Sequence, residues 1–416
     1  MIRAELGKAV SVLPSIGRLR AFRAAARCEN ICKAASELGR SQSAVSEAIQ
    51  NMESESGFSL FNRTASGCYP TDAGKVLMAR VDGFFAIMET AVAEALRASS
   101  LAGATPSTVM QRITWSDMLA LRTLHEYGAF PHAARHCDVT VTSLRRSARR
   151  LERHLGVCLF ENSAQGLKTN ACGSKLAGQI ILATRELECA EEEMKVQQRT
   201  LGGRLLIGQV SAGNFLNSLE LDDFSKLHPE VKISVTSGSY DALLSKLRDG
   251  QIDLLIGMVG NPAPTPDVIE EVLGEDPYVI AASRNHALVR FERVSREDLA
   301  SVEWIAPKSR RPIFERIFKG ISSPRFNIET QSLVSIFVLL TRAKHLAILL
   351  RSELELSRSL GNHLVELNYA VERAPLQMGM SVRREWRPSA VQREFMNFLR
   401  GRQGGGSGFN GWRVAA

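Results

Sequence analysis

Shifting the chain by ninety-nine residues lays one part of it on another without a gap, and nothing else in its 416 residues narrows the possible folds as much. Arg23 falls on Arg122, Ala34 and Ala35 on Ala133 and Ala134, and Glu53 on Glu152; Gly57, Leu60-Phe61, Gly67 and Gly74 fall on Gly156, Leu159-Phe160, Gly166 and Gly173. The register continues through two apolar series, Leu77, Val81, Phe84, Met88, Ala91, Ala95 and Leu176, Ile180, Ala183, Leu187, Ala190, Met194, both in alternating steps of four and three. Such steps place one apolar seam along a long helix. The chain therefore holds two copies of one unit, each ending in a seamed helix. A seam needs a partner, so Leu77, Val81, Phe84, Met88, Leu176, Ile180, Leu187 and Met194 are expected at a subunit interface, with a homodimer as the minimal unit and a homotetramer as the larger one. The alternative is that each helix packs only on its own domain.

Within the first unit, Ala34, Ala35 and Leu38 have the spacing of a short helix, Gly39 and Arg40 make a turn, and Ser41 to Phe61 begins with a second helix. Its polar residues Ser41, Gln42, Ser43, Ser46 and Gln50 share the helix with Ala44, Val45, Ala48, Ile49 and Met52, which leaves one face for a core and one for a DNA major groove. This is helix-turn-helix spacing. Gln42 suits adenine, Glu47 can accept from cytosine N4, and Ser41 and Ser46 suit phosphate or base edges. The aligned helix of the second unit differs. Residues 41 to 55 carry Glu47, Glu53 and Glu55 and no base, whereas 140 to 154 carry Arg145, Arg146, Arg149, Arg150 and Arg153 against Glu152. Thr140, Thr142, Arg145, Arg146, Arg149 and Arg150 are expected to meet phosphates; the competing reading is a solvated or protein-facing surface on a degenerate copy.

The wording of the first unit resembles the winged helix-turn-helix of LysR-type transcriptional regulators, on Phe22, Ala34-Ala35, Leu38, SQSAVSEAI, Glu53, Gly57, Leu60-Phe61, Arg63 and Thr71-x-x-Gly74. It departs at Ser43, where the family usually has proline, at Glu47 and at Pro70. The resemblance implies phosphate-facing residues at Lys33, at His132 opposite it in the repeat, and at Arg63, and it makes the seamed helix a dimerisation helix. From Arg204 the pattern becomes short apolar strands alternating with helices, a βαβαβ unit with a parallel sheet. GRLLIG, the HPEV step, LLSKLRDGQIDLLIG and the HAL after RN are similar to the effector-binding domain of the same family, which has the two-lobed fold of type 2 periplasmic binding proteins; WIAP, ETQS and LAILL are similar to its galactose- and sugar-responsive branch.

The expected architecture is multidomain: winged helix-turn-helix units at 14–75 and 113–174, linker helices at 76–98 and 175–200, a flexible linker at 99–112 and a second hinge at Gly202-Gly203, an α/β two-lobed domain at 203–402 and a mobile tail at 403–416. In an open parallel sheet, ligands bind beyond the carboxyl ends of the strands. That rule selects Ser211, Asn214, Ser237, Ser239, Tyr240, Met258, Asn261, Thr330 and Ser332 for a small uncharged or anionic effector, although polar residues at helix starts are also ordinary caps.

Other function classes find little support. No nucleophile elbow, phosphate-cradling loop or metal framework is present, so neither an enzyme nor a resident cofactor or metal is expected. His132, His136 and Cys137 lack a third well-placed ligand. Seven cysteines without paired spacing read as reduced residues, and the absence of a signal peptide or membrane-length apolar run leads to an expected cytoplasmic, nucleoid-associated location. A net charge of +8 suits a polyanion, and here it supports double-stranded DNA because a DNA-reading motif accompanies it. The family resemblance adds RNA polymerase as a partner. One other reading stays open: a DNA-binding adaptor whose C-terminal domain serves only to oligomerise.

Overall fold

The computed structural model describes residues 14–64, 67–99, 101, 103–163, 166–196, 201–210, 218–260, 265–306, 310–322, 324–371 and 375–401. In the first unit, α1 (Ile16–Cys28), α2 (Ile31–Leu38) and α3 (Gln42–Ser56) close over Leu19, Phe22, Ala34, Val45, Ile49 and Met52. A hairpin of β1 (Phe61–Thr64) and β2 (Gly67–Pro70) leads into the long helix α4 (Asp72–Leu96). After α5 (Pro106–Arg112) the second unit repeats the order: α6 (Trp115–Tyr127), α7 (Phe130–His136), α8 (Val141–Leu155), β3 (Phe160–Ser163), β4 (Gly166–Thr169) and the long helix α9 (Ala171–Val196).

The two units repeat their local chemistry. Glu53 accepts from the backbone N–H of Leu60 at 2.8 Å, and Glu152 accepts from Leu159 at 2.8 Å, so in each unit a carboxylate ties the end of the third helix to the start of the hairpin. Thr71 caps α4 and donates to the Ser59 carbonyl; Asn170 does both jobs at the start of α9, where it donates to Cys158. A Cβ on Gly74 would lie 2.2 Å from the Leu60 oxygen, and one on Gly173 2.1 Å from the Leu159 oxygen, which explains glycine at both positions.

Helices α4 and α9 pack against each other within the chain. Arg80, early in α4, meets Glu193 late in α9, and Glu94, late in α4, meets Lys175 early in α9, so the pair is antiparallel. All twelve seam residues are buried in one cluster that spans both units. This corrects the sequence expectation: Leu77, Val81, Phe84, Met88, Leu176, Ile180, Leu187 and Met194 face a partner helix of their own chain and are not free to join subunits. The expected linker at 99–112 also differs, because α5 starts on a Thr105 capping box and buries Val109 and Met110 against the first unit. Arg20 of α1 donates to the Met110 carbonyl at 2.5 Å, and Trp115 donates to the Pro14 carbonyl at 2.9 Å. The connection is therefore docked. The Gly203 end of the second expected hinge is docked too, where the Glu192 carboxylate accepts from Arg204 N at 3.0 Å.

The rest of the chain forms β5 (Gly203–Val210), α10 (Ser218–Leu227), β6 (Val231–Gly238), α11 (Tyr240–Arg248), β7 (Leu254–Met258), β8 (Val268–Asp276), β9 (Tyr278–Ser283), α12 (Arg296–Ala300), β10 (Glu303–Ile305), α13 (Arg311–Ile317), β11 (Arg325–Ile328), α14 (Leu333–Leu340), β12 (His345–Leu350), α15 (Arg351–Ser359), β13 (Leu364–Glu366), β14 (Leu376–Arg383) and α16 (Ala390–Gly401). They make two five-stranded sheets, ordered β6-β5-β7-β14-β8 and β11-β10-β12-β9-β13. Each is mixed rather than parallel throughout: β14 runs antiparallel to β7 and β8, and β9 antiparallel to β12 and β13. The chain leaves the first sheet at Asp276, enters the second at Tyr278 and returns by β14. At the crossing, buried Asp276 accepts from the Ser352 hydroxyl at 2.5 Å and its N–H at 3.2 Å, at the start of α15. Among the described residues, no helix is long and apolar enough to cross a membrane.

Candidate DNA-binding surfaces and sensing domain

Helix α3 is positioned by Val45, Ala48, Ile49 and Met52, all buried, and this turns Gln42, Ser43, Glu47 and Gln50 outward. Ser46 is half-buried. Ser41 is the N-cap, accepting from Ala44 N at 3.2 Å and sharing a hydrogen bond with the Ser43 hydroxyl, so its oxygen has a structural task as well. Lys33 lies exposed on α2, and exposed Arg63 on β1 sits 3.6 Å from Glu53. The face is polar, with the acid Glu47 on it, while Glu55 pairs with Arg18 of α1 at 2.6 Å.

Helix α8 is anchored the same way, by Leu144, Ala148, Leu151 and Leu155, with Thr140 as N-cap. Its outer face is cationic. Thr142, Arg145, Arg146, Arg149 and Arg153 line an open depression of about 740 Å³ with Glu152. Arg145 lies over the Phe130 ring at 5.2 Å, which holds its guanidinium while leaving it exposed. Arg150 departs from the expectation. Its Nε donates to buried Asp117 at 2.7 Å and its Nη2 to Thr114 and Ser116, so this arginine locks α8 to the start of α6. His132 is exposed on α7, and the His136 ring stacks on Tyr127 at 4.0 Å.

Two buried arginines, which the sequence reading did not single out, join the heads to the C-terminal domain. Arg80 of α4 grips Glu186 at 3.0 Å and Glu193 at 2.7 Å on α9, and donates to the carbonyls of Arg387 and Pro388. Arg185 of α9 contacts Glu188, Glu192 and Asp253 and donates to the Arg204 carbonyl at 2.7 Å. Asp253 in turn accepts from Leu206 N at 2.9 Å. Burial pulls the Glu192 carboxyl above its ordinary range despite Arg185, a mark of how dry this joint is.

In the C-terminal domain, Ser237 is exposed near the end of β6, Ser239 is exposed just beyond it, and Met258 is half-buried at the end of β7. The Tyr240 hydroxyl donates to Glu270 at 2.9 Å, and burial with that bond pushes the phenol's pKa up. Glu270, on the strand β8 that the sequence reading missed, also accepts from Gly260 N at 2.9 Å. In the second sheet's helices, Ser332 caps α14 by accepting from Ser335 N, and Thr330 accepts from Ser332 N. Ser211, Asn214 and Asn261 lie outside the described residues.

Two copies of one DNA-reading arrangement ahead of a two-sheet α/β domain is a combination that can be compared with known proteins. Residues 16–75, and again 115–174, match the bacterial regulatory helix-turn-helix domain of the LysR family, and residues 198–404 match the LysR substrate-binding domain. The chain belongs to the LysR family of transcriptional regulators. It is similar to the transcriptional regulator GalR of Pseudomonas putida, 26% identical over 344 residues that cover 80% of this chain and 84% of that protein. It is also similar to the regulator CfxR of Cupriavidus necator, 26% identical over 182 residues, 44% of this chain and 57% of that one. Among solved structures, a full-length OxyR variant from Pseudomonas aeruginosa aligns with a TM-score of 0.50 at 17% identity, over 69% of this chain and 93% of that one; the likeness concerns the fold. This LysR-type regulator is thus a DNA-binding protein with an effector-binding domain, and not an enzyme.

Proposed function

We propose that this LysR-type regulator carries a complete pair of winged helix-turn-helix heads in one chain, and that a two-lobed domain of the periplasmic-binding-protein type controls the pair by binding a small effector. The observation that carries the reading is the antiparallel packing of α4 on α9. In the family, that helix brings two subunits together; here the second helix comes from the same polypeptide. The heads are unlike, and we assign them unlike tasks. The polar face of α3, with Gln42, Ser43, Glu47 and Gln50, discriminates bases, while Arg145, Arg146 and Arg149 of α8 contribute phosphate affinity. Ser237, Ser239, Tyr240, Met258, Thr330 and Ser332 are assigned to the effector cleft, with Ser211, Asn214 and Asn261. Homo-oligomers, where they form, use faces other than the seam, and RNA polymerase is the expected partner on promoter DNA in the cytoplasm.

The test is selection of DNA sites from a random library with the full chain, followed by mass measurement of the complex on the shortest selected duplex. One chain that protects two adjacent groove segments supports the reading. A duplex that is bound only when two chains are present, each protecting one segment, overturns it.

A further inference from the structure

We propose a second ligand site at the joint between the paired long helices and the C-terminal domain, for a small organic anion with a flat apolar body. A cavity of about 470 Å³ opens there between α4, α9, the end of α11 and the segment that follows β14. Most acids around it are already matched: Glu186 by Arg80, Asp267 by Arg248, and Glu188, Glu192 and Asp253 by Arg185. Three further guanidinium groups in its lining have no such match. Arg383 donates to the Leu247 and Ile252 carbonyls, Arg384 to that of Pro266 and Arg387 to that of Ala79, and among the described residues none of the three has a carboxylate at ion-pair distance. Glu385 is the one acid of the lining outside the pairs named above.

The walls supply the rest of the specificity. Trp386 lies beneath Arg383 at 5.7 Å, and Ile87 and Leu182 add aliphatic surface from α4 and α9. Burial depresses the Arg383 pKa, as expected of a cation whose counter-charge is incomplete. Guanidinium forks match the planar, two-oxygen geometry of a carboxylate, and an indole wall suits a flat ring. An occupant would touch the segment whose Arg387 and Pro388 carbonyls Arg80 holds from α4, so its binding energy is exerted on the contact that sets the heads against the sensing domain.

The experiment is calorimetric titration of the full-length protein with 2-naphthoate and benzoate, with neutral 2-naphthamide as control. Saturable binding of one acid per chain is expected, weakened about tenfold or more when Arg384→Ala and Arg387→Ala are combined and the charge-assisted bonds are lost. Gln179→Trp, which fills the cavity and leaves the arginines in place, is expected to block binding, whereas Ser237→Ala with Ser332→Ala leaves it intact. The site is overturned if neither acid binds, if the amide binds as well as the acid, or if binding follows the serine variants and ignores Gln179→Trp.

Discussion

Replacing Phe84 with alanine tests the central structural claim, that the long-helix seam closes inside one chain. Phe84 is wholly buried, with its ring 5.1 Å from Phe85 and 5.6 Å from Trp115, so it holds α4 to the second unit as well as to its own. Removing a buried phenylalanine ring costs about 3–5 kcal/mol through lost transfer energy and the cavity left behind. For a cooperative unit the size of the two heads together, that corresponds to a fall in melting temperature of roughly 6–20 °C. The assay is thermal unfolding followed by circular dichroism, for parent and variant, across about a hundredfold range of protein concentration. An intrachain seam makes the difference between parent and variant independent of concentration, because folding of the pair is unimolecular. A difference that grows on dilution, or a variant that stays folded but sediments at half the parent's mass, would refute the reasoning and return the seam to a subunit interface.

Four other outcomes are expected. Gln42→Ala costs about 1–3 kcal/mol at one base position and relaxes preference there, as read by binding-site selection; an unchanged consensus removes Gln42 from base reading. Arg145→Ala combined with Arg149→Ala flattens the slope of log affinity against log salt by about two units and leaves the consensus as it was; an unchanged slope assigns these arginines to the solvated face. Asp138, in the left-handed region at φ 53°, stands where the first unit has Gly39 at φ 61°, so Asp138→Gly stabilises by up to about 1 kcal/mol in urea unfolding, and a loss of stability contradicts this. Burial, with nearby His345, lowers the His286 pKa, and its neutral Nδ1 accepts from Leu288 N at 3.2 Å. The unfolded chain therefore binds the proton more readily. This contribution to stability is full above about pH 6.5 and lost as pH falls below it, and His286→Asn should flatten that dependence.

The apolar positions and the repeat made the helical units legible, because a buried helix face imposes spacing that survives divergence. Val45, Ile49 and Met52, and their counterparts Leu144, Ala148 and Leu151, are core residues as their spacing implied. Strand β8 was not legible, since VIEEVLGED mixes acids with apolar residues: Val268 and Leu273 are buried, Ile269 and Val272 are exposed, and Glu270 is engaged by Tyr240 and Gly260. The antiparallel strand within each sheet was equally hidden, because alternation of residues reports faces and not direction. On α8, a run of arginines reads as one surface, yet Arg150 turns to Asp117 while Arg145 and Arg149 stay outward; only the buried acid reveals which is which.

The seam shows where periodicity stops informing. A four-three apolar pattern states that a helix buries a stripe, and it is silent on whose helix covers it. The polar residues beside the stripe carry that information. Glu94 and Glu193 are equivalents in the repeat, yet Glu94 meets Lys175 and Glu193 meets Arg80. The equivalents of those two bases are Val76 and Gln179, which can complete neither pair. In a symmetric dimer of either helix with its own copy, each contact occurs twice, so α4 on α4 would leave Arg80 facing Glu94 without the second acid, and α9 on α9 would set Glu193 against Gln179. Only α4 on α9 gives Arg80 both of its acids, because its second partner, Glu186, has Ile87 as its repeat equivalent. The charges that diverged between the copies thus favour the pairing of unlike helices, which keeps two unlike heads in fixed company.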